Sequence, residues 1–166
     1  MIEASTTAEY LEQIKALSPE ARAALEAMVN AHGRPLWEPQ PGPQRAAYYS
    51  DADIVFYGGA AGGGKTEILL GLAITAQEHS IIFRREAVQL IGIEERMAQI
   101  LGSRNGYNSQ TGVWRLPEGR VLELGSVKEP GDWVKYQGRA HDAKLFDEIC
   151  HFTEMQFRTL IGWLRT

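Results

Sequence analysis

The 166-residue chain is 44% hydrophobic and 23% charged, which supports one domain with a real core and excludes fibrous, collagen-like and wholly disordered chains. Its formal charge of −4, from 17 basic and 21 acidic side chains, does not by itself attract nucleic acid, so any DNA contact has to come from a local patch. The longest uncharged apolar stretch, 68–77, is half of what a membrane-crossing helix needs; the opening residues carry neither a basic nor an apolar leader region, and the single Cys150 can close no internal disulfide. These features fit a reducing, cytosolic setting without secretion.

In chain order, residues 6–31 read as two short helices. The first is opened by a capping box of Thr6 with Glu9 and carries Tyr10, Leu11, Ile14 and Leu17 on one face. The second has Ser18 as N-cap, Pro19 at its first position and Gly33 past its end. Together, residues 1–35 form a small helical appendage, and the proline-rich run 34–43 leads as an extended linker into the main domain, 36–166. There the pattern alternates. Ile54-Val55-Phe56-Tyr57 reads as a strand, 65–77 as a helix, and Ser80-Ile81-Ile82-Phe83 as a buried strand. A helix over 86–101 follows with Val88, Ile91, Met97, Ile100 and Leu101 as its apolar side, then a hairpin over 113–124 turning at Pro117-Glu118-Gly119. Ala143-Lys144-Leu145-Phe146 reads as a last strand, and Thr153 with Gln156 forms a capping box for a helix that presents Phe157, Leu160, Ile161 and Leu164. Strand and helix alternating in this way predict an α/β fold with a mostly parallel sheet flanked by helices.

Glycine makes up about 10% of the chain against a usual ~7%, and five of the 17 fall within 58–64. Gly59-Ala60-Ala61-Gly62-Gly63-Gly64-Lys65-Thr66 matches Gly, four residues, Gly-Lys-Thr, between a predicted strand and a predicted helix. Polyphosphate recognition calls for these residues: several backbone N–H groups must converge without a Cβ in the way, and the following helix turns its positive end to the anion. Lys65 is then the mobile cation for the β and γ phosphates, and Thr66 a hydroxyl ligand for Mg²⁺. Leu145-Phe146-Asp147-Glu148 supplies the complement, with Asp147 at a strand end as a Mg²⁺ ligand and Glu148 as general base toward the attacking water. Arg84 and Arg85, after the second buried strand, lie on the edge where phosphates bind in such sheets, with a solvated charge pair as the alternative. Cys150 is expected as a small buried hydrophobe, His151 as a local structural residue, and the four tryptophans as core or domain-contact residues. No Asn-Lys-x-Asp for guanine reading is present, and Cys150 stands where a DExH helicase pattern needs histidine.

In order along the chain, Phe56-Tyr57-Gly58-Gly59 through Thr66, Ile82-Phe83-Arg84-Arg85-Glu86, Lys135-Tyr136-Gln137-Gly138, Phe146-Asp147-Glu148 and His151-Phe152-Thr153-Glu154 with Gln156-Phe157 resemble the ATPase domain of the large terminase subunit of tailed bacteriophages. The resemblance covers roughly residues 36–166. It implies a P-loop NTPase of the RecA-like (ASCE) type and a motor that uses ATP and Mg²⁺ to drive double-stranded DNA into a procapsid. Working partners would be a portal protein, a small terminase subunit and further copies in a ring, in the cytoplasm of a bacterial host and without a membrane. By the same resemblance Gln44 is the glutamine that reads adenine, Gly59, Ala60, Ala61, Gly62, Gly63, Gly64, Lys65 and Thr66 bind the nucleotide, Thr66 and Asp147 hold the metal, and Glu148 is the catalytic carboxylate. Some terminases carry an arginine inside the loop; here that place holds Ala60-Ala61-Gly62-Gly63, which leaves Arg84, Arg85, a downstream residue or a neighbouring subunit to act as the finger. The family also places a strand with a coupling motif after the Asp-Glu strand, and a nuclease domain beyond it. Neither has a counterpart in 1–166, so the chain reads as the N-terminal part of a longer protein with an incomplete sheet, and unpaired groups in its middle would each cost about 1–3 kcal/mol. The alternatives are another P-loop ATPase of helicase-like kind and a catalytically incomplete nucleotide-binding remnant.

Overall fold

The computed structural model describes residues 7–33, 35–60 and 62–164, and of residues 7–11, 27 and 29–32 the backbone alone. The capping box at Thr6 and Glu9, the side chains of Tyr10 and Leu11, and Ala61 therefore lie outside the described residues. The chain divides into two compact units, Met1–Pro35 and Leu36–Thr166. In the first, α1 (Thr7–Ala16) and α2 (Pro19–His32) follow each other. The Ser18 hydroxyl accepts from the Ala21 N–H, Pro19 takes the first turn, and Gly33 ends α2 with φ 69°, each in its expected role. Ile14 and Leu17 are exposed within this unit.

The second unit runs through α3 (Pro43–Tyr48), α4 (Lys65–Thr75), β1 (His79–Arg84), a 3₁₀ turn at Ala87–Gln89, α5 (Leu90–Leu101), β2 (Tyr107–Asn108), β3 (Val113–Arg115), β4 (Val121–Ser126), a 3₁₀ turn at Asp132–Tyr136, β5 (Ala143–Phe146) and α6 (Glu154–Ile161). Its five-stranded open sheet has the order β2-β3-β4-β1-β5. β1 pairs in parallel with β4 and β5, whereas β3 pairs antiparallel with β2 and β4, so the sheet is mixed rather than mostly parallel. The hairpin causes this: a tight turn at Pro117–Gly119, with Glu118 at φ 59°, can only return the chain antiparallel.

β1 is an inner strand, between β4 and β5, and buried on both faces, which is why its sequence is a continuous apolar run. Ile82 faces a core of Leu70, Ile74, Ile93, Met97, Trp114 and Leu122, while Ile81 and Phe83 face Val127, Tyr136 and Leu160. In α4, a Cβ on Gly71 would run into the ring of Trp37, so a residue poor in helix propensity is kept for close packing. Thr153 and Gln156 reciprocally cap α6, whose Leu160 is fully buried.

Three further expectations are corrected. Ile54–Tyr57 forms no strand: no ladder among the described residues includes it, and Ile54, Val55 and Phe56 are 51%, 45% and 72% exposed. An apolar run becomes a strand only against an available edge, and this one is separated from β5 by a cleft of about 150 Å³ lined by Val55, Leu69, Leu145, Phe157 and Ile161. In α5 the buried residues are Ile93 and Met97, whereas Val88 and Ile91 are exposed, because the 3₁₀ turn at 87–89 shifts the helical face. Cys150 is exposed rather than buried. Among the described residues no helix is long and apolar enough to cross a membrane.

Candidate functional site

The glycine-rich segment enters α4 at Lys65. Gly59, Gly62 and Gly64 have φ of 148°, 80° and 71°, backbone conformations that a side chain strains. Gly64 is required twice over, because a Cβ there would also lie 2.5 Å from Gln44 Nε2. Gln44, on α3 and 3% exposed, donates from Nε2 to the Gly64 carbonyl at 3.0 Å and accepts at Oε1 from the Gln40 N–H at 2.6 Å. Its side chain thus clamps the turn where α4 begins. The Gly63 N–H donates to the Ala60 carbonyl at 3.2 Å, and the Tyr57 hydroxyl to the Gly63 carbonyl at 2.9 Å. Lys65 Nζ curls back onto the carbonyls of Gly59 and Ala60 at 3.0 and 2.9 Å, which holds the ammonium over the segment. The first N–H groups of α4 have no acceptor inside the helix and point toward the same place.

The second half comes from the ends of two neighbouring strands. β1 delivers Arg84 as its last residue and β5 is followed at once by Asp147. Asp147 is 3% exposed, and its Oδ2 accepts from the Thr66 hydroxyl at 3.0 Å and from Arg84 Nε and Nη2 at 3.0 and 2.6 Å. Thr66 and Asp147 are 81 positions apart in sequence. Glu148 stands at φ 57°, ψ 54°, a left-handed conformation uncommon for glutamate, and such positions store local strain where a side chain must be aimed. Arg85 donates from Nη1 to the His151 carbonyl at 2.8 Å, which ties the β1 end to the turn after Glu148. The Cys150 thiol lies 3.9 Å from Glu148 Oε2.

A cleft of about 240 Å³ opens between these halves, lined among others by Tyr57, Gly59, Lys65, Asp147, Glu148 and Ile149. Lys65, Arg84 and Arg85 gather with Asp147 and Glu148 at this end of the sheet. The cations outnumber the anions by one locally, although the whole chain is acidic. Thr66 and Asp147 are the oxygen pair suited to a hard divalent cation, and Arg84 occupies Asp147 in this arrangement.

Of the residues that the sequence singled out, Gly59, Lys65, Asp147 and Glu148 line the cleft; Thr66 and Arg84 bind Asp147, Ala60 accepts from Lys65, Gln44 binds Gly64, Arg85 binds the turn after Glu148, Gly62 and Gly63 belong to the segment itself, and Ala61 lies outside the described residues. Arg84 is engaged with the aspartate rather than pointing free as a finger would. Sequence reasoning missed a second polar group at the opposite end of β1. There Glu123 Oε1 lies 3.0 Å from His79 Nε2 and 3.4 Å from His141 Nε2. The His141 imidazole beside it, opposed by burial and helped by His79 and Arg139, holds the Glu123 carboxyl down at about 2. The only signal for this group is strand register, since Glu123 pairs with Ile81 two residues beyond His79. Comparison of the chain with family models, with curated proteins and with solved structures returns no match, so a functional reading rests on these residues and their order.

Proposed function

We propose that the chain is a P-loop, RecA-like ATPase unit that binds and hydrolyses ATP with Mg²⁺ as part of a viral DNA-packaging motor of the terminase large-subunit kind. The observation that carries the nucleotide reading is the meeting of Thr66, at the start of α4, with Asp147, at the end of β5, beside a glycine-rich turn. The glycine segment and the first turn of α4 bind the phosphates through backbone N–H groups. Lys65 leaves the Gly59 and Ala60 carbonyls to pair with the β and γ phosphates, a favourable exchange of neutral acceptors for charged ones. Thr66 and Asp147 hold Mg²⁺, which when bound neutralises charge developing on the phosphates. Glu148, held by its left-handed backbone at the cleft wall, takes the proton of the attacking water. Arg84 orients Asp147, and Gln44 fixes the turn and borders the nucleotide.

Support for the motor comes from the ordered resemblance across 36–166, and with it come double-stranded DNA, a portal, a small subunit and ring partners in a bacterial host cytoplasm. A second reading, a nucleotide-binding remnant without turnover, is favoured by one feature: the segment leading into the glycine turn is outside the sheet and exposed. Glu148→Gln separates the two. In a working ATPase it preserves nucleotide affinity and lowers kcat by at least about 10²-fold, whereas a binding-only chain has no turnover to lose. Lys65→Ala weakens nucleotide binding under either reading; unchanged affinity in calorimetry rejects the site assignment.

A further inference from the structure

His79, Glu123 and His141 come together at the end of the sheet opposite the cleft, roughly 16 Å of β1 away from Arg84. His79 opens β1, Glu123 is inside β4, and His141 precedes β5. The three parallel strands therefore bring their starts, and these side chains, to one place. One ligand atom from each residue lies within 4.8 Å of the other two, with the two histidine-to-glutamate distances at 3.0 and 3.4 Å. Metal–ligand bonds of about 2.1 Å in a tetrahedron place ligands about 3.4 Å apart, a spacing that the two histidine-to-glutamate distances are already close to and that the two imidazoles, within 4.8 Å of each other, can reach by turning toward the ion.

His141 supplies the independent observation. It is 1% exposed, yet among the described residues neither of its ring nitrogens makes a hydrogen bond of acceptable geometry, Nε2 reaching Glu123 Oε1 only at 3.4 Å. An imidazole stripped of water and left without a well-formed hydrogen bond is costly and calls for an explanation, and coordination of the nitrogen that faces Glu123 provides it. The surroundings fit as well. Arg139 donates to Glu123 Oε2 at 3.1 Å, which fixes the carboxylate and leaves Oε1 facing the two imidazoles. The Asp142 carboxylate accepts from the His79 backbone N–H at 2.7 Å and so holds the start of β1. His79, with its side chain 40% exposed, leaves solvent access for a fourth ligand.

We propose that His79, Glu123 and His141 form a site for a divalent transition ion of the zinc class, with three protein ligands and water in the fourth position. Two nitrogens and one carboxylate oxygen select such an ion over Mg²⁺, which prefers oxygen alone. The site does not rest on the nucleotide reading. It uses none of the same residues and lies at the other end of the sheet.

The test is titration of the tag-free, chelator-treated full chain with Co²⁺ and with Zn²⁺, in a Cys150→Ser background that removes the exposed thiol. One equivalent of Co²⁺ should give the visible absorption of a four-coordinate ion, displaced by Zn²⁺ and not by Mg²⁺, and Zn²⁺ should raise the thermal midpoint. His79→Ala, at the solvent side, and Glu123→Gln should each weaken binding by at least about 100-fold, more than loss of an outer-shell partner costs. Circular dichroism of His79→Ala should match the parent, which separates lost ligation from lost folding. Absence of the Co²⁺ absorption, or an absorption that survives both substitutions, overturns the proposal.

Discussion

β1 ends in two charged clusters that solve the same problem differently. At its C-terminal end the buried Asp147 is answered by a cation of the protein itself, since Arg84 makes two hydrogen bonds to one carboxylate oxygen that also accepts from Thr66. At its N-terminal end Glu123 is flanked by two imidazoles and Arg139, while the most deeply buried member, His141, has no well-formed hydrogen bond among the described residues. The first cluster is satisfied by the fold; the second is only partly so. A satisfied cluster can be read as machinery that must be rearranged before it meets a ligand, and a partly satisfied one as a place where a ligand completes the fold.

The sharpest way to break this comparison is to remove the internal cation. Arg84→Ala leaves the Asp147 charge buried with only a hydroxyl for company, and the expected cost is about 3 kcal/mol in equilibrium urea unfolding. Adding Asp147→Asn removes the uncompensated charge, so the double variant should be more stable than Arg84→Ala alone. A loss below about 0.5 kcal/mol in the single variant would mean that water, not Arg84, answers the aspartate.

What could be read from sequence divides along a similar line. Contiguous signals were legible: Ser18-Pro19, the Thr153 and Gln156 capping box, the turn at 117–119 and the strand over 143–146 all depend on neighbours within a few residues. So was the segment 59–66, because its motif constrains eight consecutive positions; Asp147 and Glu148 were legible as a strand-end pair and Gln44 only through the resemblance. Signals that depend on a distant partner were not legible. Ile54–Phe56 is more apolar than Ala143–Leu145, yet only the latter is a strand, because β1 offers it an edge. His79 and Glu123 are 44 positions apart and meet through register alone, and α3 was hidden because Pro43 looked like the end of a proline-rich linker rather than the first turn of a helix. The sheet was expected mostly parallel because the hairpin was placed but not its strand neighbours.

Gln44 sharpens the comparison at the level of neutral groups. It is as buried as Asp147, but its polar atoms are matched by backbone groups, the Gln40 N–H and the Gly64 carbonyl. Gln44→Ala removes both bonds, but the Gly64 carbonyl keeps the Ile68 N–H and Gln40 is exposed to water, so the expected loss is about 1 kcal/mol with an unchanged urea m-value. The same variant loosens the turn before α4, so nucleotide affinity should fall in step with stability. A variant that loses affinity with full stability would instead place Gln44 directly against the base.

Tyr107 shows what burial does where the nearby cation, Arg104, offsets only part of it, and its effect is the smallest of the set. It lies on β2, stacked on Trp114 with ring centroids 4.7 Å apart, away from both ends of β1. Burial first, and then the Glu94 carboxylate beside it, push its phenol from 10.0 up to about 12, with Arg104 opposing. The unfolded chain gives up this proton near 10 and the folded chain only near about 12, so in that window the unfolded state holds fewer protons. The contribution is complete below pH 10 and is lost as pH rises through about 12. An ultraviolet titration of the phenols should show two late titrations, Tyr107 near 12 and Tyr136, which burial also raises; the one near 12 disappears in Tyr107→Phe, and the variant should lose less stability than the parent between pH 10 and 12. If the step near 12 persists in Tyr107→Phe, another of the six tyrosines owns it, and the desolvation assigned to β2 is misplaced.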